Sequence, residues 1–235
     1  MDGFAARGGA CTGWTQTLDR LVLRPPVRPS KIIGVGRNYS AHAAEMGEAL
    51  PTEPVLFFKP SSALVTDGDA IVLPRGYERI DMEAELVVVI GTGGRRLSEA
   101  QALHAVVGYT VGNDISCRDL QRREPQWARA KGFDTFAPIG AWVRVCPPGE
   151  ALDSSVRIRG YHDGVLRQDA AIGEMAFSVA RLVSHISSCM TLTPGDLVFT
   201  GTPEGVTALV PGSHACVEMD GIDLGRLANP VVSSD

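Results

Sequence analysis

The stretch IDMEAELVVVIG, residues Ile80–Gly91, constrains this chain more than any other part of the sequence. Its second half, Leu86–Ile90, is an apolar run rich in β-branched residues, which is typical of a buried strand. Its first half places Asp81, Glu83 and Glu85 at every second position. Side chains two apart on a strand share a face, so the three carboxylates would enter a core together. The fold must therefore accommodate a row of like charges with no Lys or Arg between them.

The remaining sequence indicates one globular domain. Its 235 residues are 44% hydrophobic and 21% charged, which is enough for one large domain or two small ones. Residues 1–30 end in the proline-rich RPPVRPS, which cannot continue a helix, and we interpret them as a lead-in. No linker follows Lys31, so the sequence predicts one domain over residues 31–235.

Charge and cysteine content argue against several classes of function. The formal net charge is −5 and the Lys and Arg residues are spread out, so no nucleic-acid partner is expected. The longest apolar runs reach about half a membrane span. The start, MDGFAARGGACTGW, lacks the apolar centre of a secretory signal, so no membrane association is expected. Five scattered cysteines without a C-x-x-C pair predict a reduced, cytoplasmic protein with neither disulfides nor zinc. No G-x-G-x-x-G or Walker loop follows a strand, which excludes the usual nucleotide sites.

Strands dominate the predicted secondary structure. Besides the stretch above, strands are expected over 31–36, 55–60, 136–145 and 156–170, after a turn within 67–74 and within 193–205, and in 106–116 leading to Asn113 and Asp114. Helices are expected over 40–49, 97–108 and 177–190, with a helical turn or two in CRDLQRRE. Ser40 is the expected N-cap of the first helix, and Ser98 with Gln101 forms a capping box on the second. A His-Asp-Gly tip at 162–164 predicts a hairpin turn. Because strands do not alternate strictly with helices, we predict an α+β fold with a rolled or sandwiched sheet.

The row of acids has a chemical interpretation. Packed carboxylates without counter-charge repel one another and cost desolvation free energy, and a hard divalent cation relieves both costs. Oxygen ligands suit Mg²⁺, Mn²⁺ or Ca²⁺, and two Glu side chains about 6.6–7 Å apart along a strand can converge on one ion. For Glu83 and Glu85 alone, a solvated edge strand remains the alternative. Asp114, in VGNDISCRDLQ, follows a hydrophobic strand and offers a third carboxylate, with capping of the next segment as its alternative.

Two further segments carry candidate catalytic groups. The stretch WARAKGFDTFAPIG offers Lys131. The stretch GRNYSAHAAEMG places His42 and Glu45 one helical turn apart on one face. A His–Glu pair at this spacing is a weak signal for a general base, and a lone His is more often a surface or core residue.

Taken together, these segments resemble the fumarylacetoacetate hydrolase superfamily. The matching stretches are GVGRNYSAHAAEMG, EPVLFFKPSSAL, DMEAELVVVIG, VVGYTVGNDISCRDLQ, WARAKGFDTFAPIG and LTPGDLVFTGTPEGV. They run in the family's order and cover the chain from about Lys31 to Val232. The likeness is greatest to the short branch that includes acylpyruvate hydrolases, oxaloacetate decarboxylases and 2-hydroxyhepta-2,4-diene-1,7-dioate isomerases.

The resemblance implies a fold and a site. It implies a mixed β-sandwich roll of the C-terminal-domain type, a homodimer, and Mg²⁺ or Mn²⁺, with Ca²⁺ as a substitute. The implied ligands are Glu83, Glu85 and Asp114, which leaves Asp81 as a neighbour. The implied catalytic residues are His42 and Glu45 on a lid, together with Lys131. The implied substrate contacts are Arg37, Tyr39, Lys59, Gln121, Gly201 and Thr202.

The expected reaction follows from the same resemblance. We expect a metal-dependent hydrolase that cleaves the C–C bond of a small 2-oxo acid of the acylpyruvate type, such as fumarylpyruvate or acetylpyruvate, to pyruvate and a carboxylic acid. Oxaloacetate decarboxylation and hydroxydienoate isomerisation in aromatic catabolism are the alternatives, and a non-enzymatic metal-binding protein is a remote one. Fumarylacetoacetate itself is not expected, because Arg37 and Asn38 stand where the eponymous enzyme takes a further metal carboxylate. Nor do we expect the larger N-terminal domain of that enzyme here.

Overall fold

The computed structural model describes residue 17 and residues 22–234, so most of the predicted lead-in, residues 1–30, lies outside the described part. In chain order its strands are β1 (Ile32–Gly36), β2 (Val55–Lys59), β3 (Leu64–Val65), β4 (Ile71–Leu73), β5 (Ile80–Met82), β6 (Ala84–Ile90), β7 (Val106–Asn113), β8 (Ser116–Cys117), β9 (Ala137–Pro138), β10 (Arg144–Val145), β11 (Arg157–His162), β12 (Val165–Ala171), β13 (Leu197–Phe199), β14 (Thr207–Ala208), β15 (His214–Asp220) and β16 (Arg226–Ser233). The helices are α1 (Ser40–Glu45), α2 (Glu99–Ala105), α3 (Arg118–Arg123), α4 (Ala128–Lys131) and α5 (Val179–Cys189). Short 3-10 turns cover Ser61–Ala63 and Ile172–Glu174.

Two mixed sheets form the body of the fold. One has six strands in the order β10-β7-β6-β13-β1-β2, in which β1 and β13 pair in parallel and the other neighbours are antiparallel. The other has five strands in the order β12-β11-β15-β16-β4, with β16 and β4 parallel. Smaller sheets join β14-β5-β8 and β3-β9. Mixed sheets with few helices confirm the predicted α+β class.

Strand β6 is buried on both faces, which explains its continuous apolar sequence. Leu86 and Val88 pack into one hydrophobic cluster, which also holds Leu182 and Ile186 of α5. The alternate residue Val87 packs into a second cluster on the other face of the sheet. A strand covered on both faces has no polar face, so alternation disappears.

The predicted stretch Ile80–Gly91 is one strand in sequence but two in the structure. Strand β5 pairs with β8 and β14, whereas β6 pairs with β7 and β13. Glu83 lies between them in neither strand, and its N–H donates to the Asn113 side chain at 2.9 Å. The expectation of three acids on one face of a continuous strand is therefore wrong, because the chain changes sheet at Glu83.

The helices differ from expectation mainly at α1. The helix is six residues long and begins at Ser40, so Tyr39 is its N-cap and the prediction of Ser40 in that position is wrong. The expected capping box of α2, Ser98 with Gln101, is confirmed. Ser178 caps α5 by accepting from Arg181 N–H. Within residues 22–234 we find no helix that is both long enough and apolar enough to cross a membrane.

The β11–β12 hairpin confirms the expected turn. Asp163 and Gly164 at its tip have φ of 51° and 76°, the left-handed pair that two-residue hairpin turns require. The segment 136–145, by contrast, was expected to be one strand and contains only β9 and β10. These two dipeptides pair with β3 and β7 respectively, so the intervening residues form an irregular crossing between sheets.

Candidate metal centre

Three carboxylates meet at the junction of β5, β6 and β7. Glu83 lies at the break between β5 and β6, Glu85 is the second residue of β6, and Asp114 follows β7. The antiparallel pairing of β6 with β7 places Glu85 opposite Gly112, and the Asp114 N–H donates to the Glu83 carbonyl at 2.8 Å. One carboxylate oxygen from each of the three side chains lies within 4.8 Å of the others. We call Glu83, Glu85 and Asp114 the carboxylate triad.

Two lysines from distant parts of the chain lie against the triad. Lys131 Nζ donates to Glu83 at 2.7 Å and to Asp114 at 2.6 Å, and it is 2.6 Å from Ser116 Oγ. Lys59 Nζ pairs with the other oxygen of Asp114 and donates to the Ile115 carbonyl at 3.3 Å. The premise of carboxylates without counter-charge is therefore wrong, because tertiary packing brings in cations from β2 and α4 that the local sequence lacks.

Arg118, at the start of α3, is a site residue that sequence reasoning missed. Its guanidinium is buried and donates to Asp81 at 2.8 Å, to Glu83 at 2.5 Å and to Gln121 Oε1 at 2.7 Å. Arg79 also donates to Asp81, at 2.9 and 3.2 Å. The Asp81 carboxylate thus forms ion pairs with Arg79 and Arg118 and is not a member of the triad. A signal was present, because Arg118 follows Asp114 by four residues in the stretch VGNDISCRDLQ.

Burial and charge act differently on the members of this cluster. Burial opposes ionisation of Glu83, but the charges of Lys131 and Arg118 outweigh it and lower the pKa of that carboxyl. Burial likewise opposes protonation of Lys131, yet Asp114 and Glu83 raise the pKa of its ammonium. For Lys59, burial and the positive charge of Lys131 outweigh the negative charge of Asp114 and lower the pKa of the ammonium group.

Glu85 is the least compensated member of the triad. Burial, followed by the charges of Asp114 and Glu83, raises the pKa of Glu85 well above its ordinary value. One of its oxygens accepts the Gly201 N–H at 2.7 Å. Gly201 has a φ of 98°, and a Cβ there would lie 2.8 Å from the Asn38 Cβ, so this close approach requires glycine.

The donor set fits a hard divalent cation. The triad offers three carboxylate oxygens, the ligand type that Mg²⁺ and Mn²⁺ prefer. Among residues 22–234, no side-chain nitrogen of Lys, Arg or His lies within 4 Å of a Glu85 carboxylate oxygen. A bound cation would therefore relieve the repulsion that Glu85 experiences from the other two carboxylates. Asn38 is unavailable as a fourth ligand, because its amide binds the backbone of Phe177 and Thr200.

Helix α1 brings the expected His–Glu pair to the same place. His42 Nδ1 lies 3.2 Å from Glu45 Oε2. Both oxygens of Glu45 also accept the Gly205 N–H, at 3.1 and 3.3 Å. His42 is buried, whereas 36% of the Glu45 side chain is exposed. The pair therefore links α1 to the loop after β13 while one carboxylate remains accessible.

A cavity of about 1000 Å³ joins the triad to the His–Glu pair and opens to solvent. Three of the expected substrate contacts, Arg37, Gln121 and Thr202, line it, as does Lys131. The other three lie behind its walls. Lys59 is buried against Asp114, Gly201 contacts Glu85 through its backbone, and the buried Tyr39 hydroxyl has no hydrogen-bond partner among the described residues.

The chain belongs to the fumarylacetoacetate hydrolase family. Residues 31–232 match the family described as Fumarylacetoacetate (FAA) hydrolase C-terminal, which confirms the resemblance and its extent. The structure of 5-carboxymethyl-2-hydroxymuconate delta-isomerase from Mycobacterium smegmatis is 41% identical, with a TM-score of 0.85 over 95% of this chain and 87% of that one. The 2-hydroxyhepta-2,4-diene-1,7-dioate isomerase of Mycobacterium marinum is 38% identical, with a TM-score of 0.84 over 95% and 82%.

A third solved relative is a hydrolase. The fumarylpyruvate hydrolase of Pseudomonas aeruginosa, in complex with Mn²⁺ and pyruvate, is 39% identical, with a TM-score of 0.80 over 88% of this chain and 91% of that one. The superfamily of this chain is therefore one of enzymes, with hydrolases and isomerases among its members.

Proposed function

We propose that this protein is a divalent-cation-dependent hydrolase that cleaves the C–C bond of an acylpyruvate-type 2,4-dioxo acid, giving pyruvate and a carboxylic acid. The observation that carries the proposal is the shared cavity, in which a buried carboxylate triad faces the same space as a His–Glu pair whose Glu45 carboxylate is accessible. Hydrolytic cleavage of a C–C bond needs a site that stabilises the enolate leaving group and a general base that activates water. The proposal assigns these tasks to the triad and to the pair.

The triad would hold Mg²⁺ or Mn²⁺. When bound, such a cation supplies Lewis acidity that polarises the oxygens of a 2-oxo acid and stabilises negative charge on them. Lys131 contacts two members of the triad and lines the cavity, so its ammonium adds positive charge beside the 2-oxo group. Gln121 gives its Oε1 to Arg118, which leaves its amide N–H groups free to donate to substrate.

Glu45 would act as the general base. His42 fixes its orientation, and Glu45 accepts a proton from the water that attacks the C4 carbonyl. Collapse of the resulting tetrahedral adduct breaks the C3–C4 bond, and its electron pair passes to the 2-oxo group as the enolate of pyruvate. Protonation at C3 gives pyruvate, and the acyl part leaves as a carboxylic acid. The overall reaction consumes one molecule of water for each acylpyruvate cleaved.

Isomerisation of a 2-hydroxy-2,4-dienoate is the second candidate. The identities of 41% and 38% to two isomerases favour it. The same residues would serve, since Glu45 and His42 would move a proton along the substrate chain instead of activating water. Decarboxylation of oxaloacetate also yields a pyruvate enolate at the same triad but needs no general base to activate water.

One assay separates these reactions. Purified protein is incubated with Mg²⁺ or Mn²⁺ and with acetylpyruvate, fumarylpyruvate, oxaloacetate or 2-hydroxyhepta-2,4-diene-1,7-dioate. We expect pyruvate from the acylpyruvates, loss of that activity with EDTA, and recovery when the cation is returned. Turnover confined to oxaloacetate or to the dienoate would replace the hydrolase with the corresponding alternative.

The proposal includes one catalytic domain over residues 31–235 that functions as a homodimer. Family resemblance alone supports the assembly. Light scattering at micromolar protein concentration checks it, and a monomer mass would contradict it.

A further inference from the structure

Helix α3 presents one polar face to the cavity. Arg118, Gln121 and Arg122 stand at positions i, i+3 and i+4, which share a helix face, and all three line the cavity. Arg118 is buried against the triad, Gln121 is half-buried and Arg122 is exposed. The face therefore runs from the floor of the cavity at Arg118 to its mouth at Arg122, about one helical turn or 5.4 Å further along the axis.

The charges around the mouth are paired, with Arg122 as the exception. Arg37 pairs with Glu48 at 3.1 Å, Arg79 is held by Asp81, and Glu124 is held by Arg129. Within residues 22–234, Arg122 has no carboxylate within 4 Å.

Asp119, one turn back on the helix, does not neutralise Arg122 through an ion pair. Its Oδ2 accepts the backbone N–H groups of Glu78 and Arg79, at 2.8 and 3.0 Å. Arg79 is anchored to the same helix, since its carbonyl accepts the Arg118 N–H at 2.8 Å. This anchoring holds a second arginine at the same cavity wall, but Arg79 is paired with Asp81, so within residues 22–234 Arg122 is the arginine of this wall that has no carboxylate partner.

We propose that Arg122 forms a subsite for a second, distal carboxylate of the substrate. The proposal rests on the proposed function, and it narrows the substrate class to 2,4-dioxo acids whose acyl part itself ends in a carboxylate, such as fumarylpyruvate, over monoacids such as acetylpyruvate. A seven-carbon diacid of this class spans roughly 7 Å from its first to its last carbon. That length is comparable with the one helical turn that separates Arg118 at the floor from Arg122 at the mouth.

An aromatic wall of the cavity suits the carbon chain between two carboxylates. Phe57 and Trp127 both line the cavity, with ring centroids 5.6 Å apart and edge to face. Trp127 packs closely on Gly36, where a Cβ would lie 2.8 Å from its ring. A rigid aromatic wall beside a polar helix face accommodates a flat, conjugated diacid lying along the helix.

The test compares two ligands that differ only in the distal carboxylate. 2-Oxoheptanedioate and 2-oxoheptanoate share the 2-oxo acid group and lack the 4-oxo group, so neither can undergo the proposed cleavage. Isothermal titration with Mn²⁺-loaded protein measures the affinity of each. We expect the wild type to bind the diacid about five- to twenty-fold more tightly, a preference that weakens with added salt. Arg122→Met should reduce this preference to less than about two-fold by weakening the diacid alone.

Arg123→Met is the matched control. Arg123 lies next to Arg122 on α3, its side chain is 64% exposed, and it faces Glu124 at 3.6 Å outside the cavity lining. This variant makes the same charge change and should keep the wild-type preference. Equal binding of the two ligands by the wild type, or an unchanged preference in Arg122→Met, would overturn the subsite and leave the proposed function standing. Failure of both ligands to bind wild-type protein would overturn the 2-oxo acid site and the subsite with it.

Discussion

The floor and the lid of the cavity are built in opposite ways. The floor is the carboxylate triad, whose members are at most 3% exposed and lie at strand ends. Glu83 and Asp114 are linked to Lys59, Lys131 and Arg118, and Glu85 accepts the Gly201 N–H. We propose that α1 is the lid; it is six residues long and is tied down by the Glu45–Gly205 contact and by the Arg37–Glu48 contact between its flanking residues.

This difference separates two functions. A buried, satisfied network of charges is rigid and holds the geometry of a cation site. A helix of six residues is unstable by itself, so the lid can open when its few contacts break. We infer that the floor fixes the electrostatics and that the lid carries the group that must reach water and substrate.

The largest effects are expected when the floor is altered, and Glu83 and Glu85 should respond differently. Glu83→Gln removes one of the two carboxylates that each of Arg118 and Lys131 contacts, which should lower the free energy of unfolding by up to about 3–5 kcal/mol. Glu85→Gln removes a buried carboxyl that its neighbours repel, so the metal-free protein should keep or gain stability. Both variants should lose all measurable activity. Urea unfolding in the presence of EDTA measures the free energy of unfolding of each variant, and the activity assay measures its turnover.

The pH dependence of the Glu85→Gln effect has a definite sign. Because the pKa of Glu85 is raised in the folded protein, the folded state holds a proton that the unfolded state releases above about pH 4.3. Stability from this group is therefore lost as pH rises from there through the folded pKa. The stability gained by Glu85→Gln should increase over that range and vanish in acid. Equal destabilisation by Glu83→Gln and Glu85→Gln at neutral pH would contradict the electrostatic description of the floor.

A smaller effect, and on turnover alone, is expected at the lid. Glu45→Gln should reduce acylpyruvate turnover by a factor on the order of 10²–10⁴, the usual contribution of a positioned general base. Its side chain is 36% exposed, so the free energy of unfolding should change by less than about 1 kcal/mol. Substrate binding should survive, because the triad remains intact. Wild-type turnover by this variant would remove water activation from Glu45 and favour the decarboxylase.

The smallest effect is expected where the lid is held by an exposed ion pair. Glu48→Gln breaks the contact with Arg37, and since 55% of the Glu48 side chain is exposed, the stability change should be below about 1 kcal/mol. Hydrogen exchange of the amides in 40–48 should become a few-fold faster, as local opening becomes easier. Wild-type protein in 1 M salt should approach the variant's rates. Slower exchange in Glu48→Gln would show that this ion pair does not hold the lid.

The sequence predicted the family, the α+β class and the close approach of His42 to Glu45, because these depend on motifs or on spacing within one helical turn. It did not predict the partners of the acids. Lys59 reaches Asp114 across 55 positions and Arg118 reaches Glu83 across 35, contacts that exist only once β2, β6 and β7 are placed. The break at Glu83 was missed for the same reason, since local alternation continues through a residue at which the chain changes sheet.

The proposed function requires that the carboxylate triad binds one divalent cation. Titration of metal-free protein with Mn²⁺, followed by electron paramagnetic resonance, tests it directly, with Asp114→Asn as the ligand variant and Glu48→Gln as a control acid at the same cavity. We predict one Mn²⁺ site in the wild type and in Glu48→Gln, and an affinity at least about 100-fold weaker in Asp114→Asn. Wild-type affinity in Asp114→Asn, or no Mn²⁺ binding by the wild type, would contradict the claim.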